Sequence, residues 1–250
     1  MNQSFFIGAI GAHQQQQRLN LHGNNIANVN TYGFKADKGR FANLMYTDIK
    51  NAEEDMVHFG VGGALWSSDT DFTQGTAAAT GRDQDYMIEG PGFFALADLE
   101  SGEITLTRSG AFVIASLQRP TEELDEFGEP VMEQVYYLSD GEGRFVLDNN
   151  GNMIEVSDED RDAELPIGVF DYINYNGMEH ASDSSFVAVE KNGAIRVGTG
   201  KVIRGMLESS NVDLAEEMTK VIESQRAYSM ALKMVQTSDE IETTINSLRN

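Results

Sequence analysis

The sequence predicts an α+β fold in which N- and C-terminal coiled-coil helices flank a β-strand linker and an antiparallel β domain. Three observations carry this. Heptad-like spacing occurs at both ends of the chain, and short β-type runs separated by turn signals fill the middle. A texture rich in Gly, Ser, Thr and Asp lies between the first helix and those runs. The predicted divisions are an N-terminal helix over 1–30, an extended linker over 31–85, a β domain over 86–200, and a return strand with the C-terminal helix over 201–250.

In the first element, Ile7, Ile10, Gln14, Gln17, Leu21, Asn24 and Asn28 alternate in steps of three and four. This is a seam with apolar and polar knobs mixed. Amides on a seam cost stability but select register and partner. The competing reading is a helix packed on its own domain with a solvated amide face. The last element repeats the pattern with more apolar residues. Leu214, Met218, Val221, Gln225, Tyr228, Leu232 and Val235 form a stripe that resumes at Ser238, Ile241, Ile245 and Leu248. Neither Pro nor Gly occurs from 206 to the end. A helix over 211–248 would be about 57 Å long, more than one small domain can cover.

Between the ends, the β-type runs are YMIEG, GFFALAD, EITLT, EQVYYL, FVLDNNGNMIEV, LPIGVFDYIN and SSFVAVEKNGAIRV. Asn-Gly pairs at 150–151, 176–177 and 192–193 are hairpin signals. With helical ends and a β middle, the termini are expected side by side and the middle is expected to project.

The 250 residues carry a net charge of −22, unevenly spread. Residues 1–36 hold two bases and no acid, whereas 86–200 hold six bases and 23 acids, net −17. That field repels phosphate, which argues against a nucleic-acid partner. No apolar run reaches the roughly 20 residues needed to span a bilayer, so membrane insertion is not expected. The opening MNQSFFIGAIGA lacks a basic segment and makes a poor secretory signal. Cysteine is absent, which removes disulfides and thiolate metal sites.

Motifs for chemistry fail one by one. There is no G-x-S-x-G, and His13, His22, His58 and His180 have no metal-ligand spacing. RVGTGKV at 196–202 misses the phosphate-loop pattern, with Ile195 where Gly is required and Val202 where Ser or Thr is required. It reads better as a strand. Asp148, Asn150, Asn152 and Glu159 fall at calcium-loop positions, but Met153 occupies the position that demands Gly. Gly151 places a hairpin turn there instead. The run DEDRDAE at 158–164 reads as a solvated acidic loop. No catalytic residue, metal ligand or cofactor is expected.

NNIANVNTYGFKA at 24–36 resembles the signature of flagellar rod and hook proteins, the axial components of the bacterial basal body, and LESSNVDLAEEMTKVIESQRAY at 207–228 resembles their second signature. FTQGTAAATGRDQDYMIEGPGFF at 72–94, LTRSGAF at 106–112 and LPIGVFDYINYNG at 165–177 are similar to the family's intervening β segments. After Phe112 the chain departs from the family's short hairpin with the acidic insert ASLQRPTEELDEFGEPVMEQVYYLSDGEGRF.

The resemblance implies a structural rod subunit that assembles helically, transmits torque from motor to hook and needs no cofactor. Implied partners are other rod subunits, both copies of itself and neighbouring rod or hook proteins, and the flagellar export apparatus. The implied location is the flagellar basal body, crossing the periplasm or cell wall. Both proximal and distal rod types fit the resemblance, and the opening MNQSFF leans to the proximal. It also singles out Asn25, Ala27, Asn30, Gly33, Phe34 and Lys35 at the first junction, and Leu207, Glu208, Ser210, Asn211 and Val212 at the second. There the helix must stop and the chain must turn outward. Asn and Gly tolerate the left-handed backbone such a turn needs, and Phe34 could anchor it against the neighbouring helices. The alternatives are an exported acidic β domain that binds a cation or cell-wall fragment from coiled-coil stalks, or a hook-type axial protein.

Overall fold

Asp213 starts the longest element. Its Oδ1 accepts the backbone N–H groups of Ala215 (2.9 Å) and Glu216 (3.2 Å), which caps the helix α2, Leu214–Leu248. Glu216 and Glu217 in the first turn complement the helix dipole. The computed structural model describes residues 3–43, 46–50, 56–60, 63–99, 101–124, 130–157, 165–182 and 184–248. The acidic run 158–164, with Glu159 of the calcium-like pattern, lies outside the described residues.

The chain divides into two compact units. The first comprises Met1–Ala27, Ala36–Asp71 and Val212–Asn250. It holds α1 (Gln3–Ala27), α2 and the strands β1 (Asp37–Asn43), β2 (Tyr46–Lys50), β3 (Met56–Gly60) and β4 (Gly63–Thr70). β1 pairs antiparallel with β4, and β2 with β3. The helices run antiparallel: Ser4 meets Ser238 at 3.2 Å, and His22 meets Glu217 at 2.6 Å.

The second unit comprises Asn28–Lys35 and Phe72–Asn211. Its strands are β5 (Ala77–Ala79), β6 (Tyr86–Glu89), β7 (Phe94–Ala97), β8 (Ile104–Thr107), β9 (Val113–Leu124), β10 (Pro130–Ser139), β11 (Phe145–Val146), β12 (Phe170–Asp171), β13 (Glu179–Ser182), β14 (Ser185–Val187), β15 (Arg196–Val197), β16 (Lys201–Arg204) and β17 (Met206–Glu208). Seven of them form an antiparallel sheet in the order β13-β14-β8-β7-β11-β10-β9. Successive side chains of a strand point to opposite faces. Accordingly Phe94 and Leu96 of β7 enter one core with Tyr86, Ile88 and Leu138, while Phe93 and Ala95 enter another with Leu106 and Phe186. Burial on both faces explains why GFFALAD reads as an unbroken apolar run.

The insert after Phe112 extends this sheet. β9 and β10 pair from Val113↔Ser139 to Pro130↔Leu124. β9 is the edge strand and contains Pro120, which is tolerable where one row of N–H groups needs no partner. Proline and charge hid this strand from a reading by pattern.

The Asn-Gly pairs all mark turns, with positive φ at Gly151, Gly177 and Gly193, but only the first closes a tight hairpin. There Asp148 N–H bonds Asn152 O (2.8 Å) and Leu147 bridges Met153. The Asp148 carboxylate accepts the N–H groups of Asn150 and Asn152, both at 2.8 Å, which hold it below the usual carboxylate range. Asn192 explains the other two. Its buried amide donates to Asn174 O (2.8 Å) and Asn176 O (3.3 Å), tying one turn to the other. The flanking strands pair elsewhere, β12 with β15 and β13 with β14. The failed phosphate-loop segment forms β15 and β16.

Candidate functional site

Two constellations hold several of the residues that the terminal signatures single out, Lys35, Glu208 and Asn211 in one and Asn25 in the other. The first is a clamp inside the β unit. Lys35 and Glu208 have fully buried side chains and meet at 2.6 Å. Lys35 Nζ also donates to Thr73 O at 2.7 Å. The other carboxylate oxygen of Glu208 accepts from Arg108 Nη1 at 3.2 Å, and Oε1 accepts from Gly75 N at 2.8 Å. Arg108 donates further to Gly90 O at 2.8 Å. Asn211 Nδ2 reaches the same Thr73 carbonyl at 3.2 Å, and Gly33 N–H bonds Glu208 O at 2.8 Å. Residues 175 positions apart in sequence thus close on one another. Such a buried network adds little net stability when complete, but breaking it leaves uncompensated charge.

The turn leading to Lys35 answers the asparagine-rich stretch. Asn28 O accepts Thr31 N–H (3.2 Å), and Thr31 O accepts Phe34 N–H (3.3 Å). Thr31 Oγ1 donates to Asn28 Oδ1 at 3.1 Å. Gly33 adopts φ +72°, and a Cβ there would lie 2.3 Å from Ser109 N. Gly33→Ala is therefore expected to cost at least about 1–3 kcal/mol from backbone strain. Urea unfolding followed by near-UV circular dichroism checks this, and an unchanged midpoint would show that the turn relaxes freely. Phe34 is buried, in a segment that belongs to the β unit. Leu207 is buried beside Glu208 in β17; Ser210 and Val212 are half-buried, and Ala27 and Asn30 exposed.

The second constellation is the helix pair. The stripe by which α1 faces α2 is offset by one residue from the predicted seam. Gly8 and Gly11 approach Val235 and Ala231; a Cβ on Gly8 would lie 3.0 Å from Val235 Cγ2. His22 and Asn25 bond Glu217, and Ser224 and Ser238 are buried. Small residues win this face because they let two backbones approach closely. One residue is a 100° rotation on a helix, so the predicted seam turns elsewhere. Gln14 packs against Gly63 of β4 and Leu21 against Gly39 of β1. Ile7, Ile10, Gln17 and Asn28 are half-buried, and Asn24 is exposed. On α2, Val221, Tyr228 and Val235 are half-buried. Leu214, Met218, Gln225, Leu232, Ile241, Ile245 and Leu248 are exposed, Ile245 at 56 % and Leu248 at 82 %.

Asn25 latches this pair to β1, accepting Asp37 N–H (3.0 Å) and donating to Asp37 O (2.9 Å). Glu217 sits at the centre. Burial would raise its pKa, but hydrogen bonds from His22, Lys220 and Asn25 outweigh burial and hold it below the usual value. A depressed folded pKa means stability present above the unfolded carboxylate pKa and lost as pH falls through the folded one. Glu217→Gln should therefore flatten the acid limb of a thermal-midpoint profile; an identical limb in the variant would exclude Glu217 as its source.

Pattern reading missed Arg108, Thr73, His22 and Glu217 as site residues. Arg108 and Thr73 lie within matched segments, but their roles depend on a fold that brings remote segments together.

A chain whose two ends fold as a helix pair with an uncovered apolar face, and whose middle folds as a self-contained β unit, has the build of an assembling structural protein. Residues 7–35 match the family described as flagella basal body rod protein, and residues 203–248 match the flagellar basal body rod FlgEFG protein C-terminal family. The chain is 28 % identical to the flagellar basal-body rod protein FlgG of Caulobacter vibrioides, over 99 % of this chain and 100 % of that protein. It is 27 % identical to FlgG of Buchnera aphidicola subsp. Schizaphis graminum, over 98 % and 99 % respectively. It is 28 % identical to the flagellar hook-basal body complex protein FlhP of Bacillus subtilis over the full length of both. From end to end the chain is thus similar to flagellar basal-body rod proteins.

Proposed function

We propose that this chain is a structural subunit of the bacterial flagellar basal-body rod. The observation that carries the reading is the end-to-end likeness to flagellar rod proteins, including both terminal signatures that the clamp joins. The subunit stacks helically with copies of itself and with neighbouring rod or hook proteins, and transmits torque without performing chemistry. Rod stacking is heterologous, one patch meeting a different patch on the next copy. The exposed apolar residues Leu214, Met218, Leu232, Ile241, Ile245 and Leu248 supply contact area, because a soluble monomer gains nothing by leaving such a stripe in water. In the assembled rod this stripe forms the coiled-coil contacts that the heptad spacing predicts. The subunit reaches the rod through the flagellar export apparatus. A tagged copy should co-purify with basal bodies and restore motility to a strain lacking the gene. A tagged, motility-restoring copy absent from purified basal bodies would overturn the reading.

A further inference from the structure

The three Asn-Gly pairs of the β unit share a dipeptide but not a chemical situation. An asparagine side chain before glycine is open to attack by the next backbone nitrogen, because glycine has no Cβ to hinder the approach. Attack needs a side chain free to rotate, a nitrogen free to react, and a nearby charge that favours the anion formed. Asn192 lacks the first. It is buried, its Nδ2 donates to Asn174 O and Asn176 O, and its Oδ1 accepts Val189 N–H at 2.7 Å. Asn150 is exposed, but its Nδ2 donates to Asp148 Oδ2 at 3.2 Å, and Gly151 N–H bonds Asp148 O at 3.1 Å. The Asp148 carboxylate beside it disfavours a developing negative charge.

Asn176 meets all three conditions. It is exposed, and its side-chain amide makes no hydrogen bond among the described residues. The Gly177 N–H makes none there either. Lys191 Nζ lies against Gly177, where a Cβ would overlap it, and Lys191 forms no ion pair among the described residues. A cation at this place stabilises the attacking anionic nitrogen and the oxyanion that follows. We propose that Asn176 is a self-modification site of this chain, converted through a cyclic imide to aspartate and isoaspartate with water as the co-reactant. The Gly177 nitrogen bonds to Asn176 Cγ, the Cγ–Nδ2 bond breaks, and Nδ2 leaves as ammonia with the Gly177 proton. Water then opens either carbonyl of the imide, and nothing is oxidised or reduced. Both products place a carboxylate beside Lys191. Isoaspartate also adds a carbon to the backbone, which displaces the Asn176 carbonyl that Asn192 holds and loosens the tie between the two turns. This chemistry holds whether or not the chain assembles into a rod.

Peptide mapping by mass spectrometry of the full-length chain, held in warm, mildly alkaline buffer, tests this. The fragment containing Asn176 should gain the mass of an amide turned to an acid and become a substrate for an isoaspartyl methyltransferase. Asn150 should convert roughly tenfold more slowly, the factor that freeing one hydrogen-bonded group adds to a barrier. Asn192 should stay unchanged. Lys191→Gln, with its fold checked by circular dichroism, should slow conversion at Asn176 severalfold. In guanidinium chloride the three pairs should converge on similar rates, because unfolding removes the contacts that separate them. The proposal is overturned by an Asn176 that stays unmodified, or by an Asn150 or Asn192 fragment that converts first in the folded chain. A rate indifferent to Lys191 in the folded variant, or an order of rates unchanged by unfolding, overturns it equally.

Discussion

Glu208→Ala should be the most damaging single substitution in the β unit, destabilising it by about 3–5 kcal/mol. The carboxylate meets Lys35 and Arg108 and accepts Gly75 N–H, all away from water. Truncation removes the carboxylate that the buried Lys35 and Arg108 side chains share. Against a typical total of about 5–15 kcal/mol, that loss moves a domain close to its unfolding threshold. Lys35→Met should cost less. Glu208 then keeps Arg108 and Gly75 N–H, and the apolar methionine fills most of the vacated volume. Urea unfolding of the two variants side by side tests the order. Equal losses, or a Glu208→Ala midpoint matching wild type, would show that the buried charges find other partners.

Leu232→Asp should have the largest effect on assembly and almost none on the fold. Leu232 is 39 % exposed on α2, in the centre of the proposed contact stripe. In the isolated chain an aspartate there remains in contact with water, so the thermal midpoint should stay within a few degrees. In a subunit contact the same charge would be buried without a partner, at a cost of several kcal/mol. Cells carrying the variant should be non-motile, while the purified chain keeps its near-UV circular dichroism. Leu232→Met, which preserves volume and polarity, should restore motility. Motile Leu232→Asp cells would remove this residue from the contact stripe.

Much of the architecture was legible in the residues. The runs around Phe94, Leu106, Tyr137 and Phe145 became strands because apolar, β-prone residues between turn signals have few other stable arrangements. The C-terminal helix was legible from its period and its lack of Gly and Pro, and Asp213 sets its start. β9 was not legible, because an edge strand tolerates the proline and charge that pattern reading treats as breakers. On α1 the face that meets α2 lies one residue from the predicted stripe for a related reason. Pattern reading follows the bulky apolar side chains, whereas α1 presents Gly8 and Gly11 to Ala231 and Val235 of α2.

The local chemistry of the chain determined by itself where the terminal helices run, that apolar runs between turn signals become strands, and why Gly33 occupies its turn. Those outcomes depend on neighbours a few positions away, through backbone sterics, caps and side-chain period. Only the tertiary structure decided that Lys35, Thr73, Arg108 and Glu208 share one buried site, that Glu217 bridges His22 and Asn25, and that the apolar stripe of α2 stays uncovered. Each of these depends on which remote segments meet, and burial and charge pairing act through space, with no regard for distance along the chain.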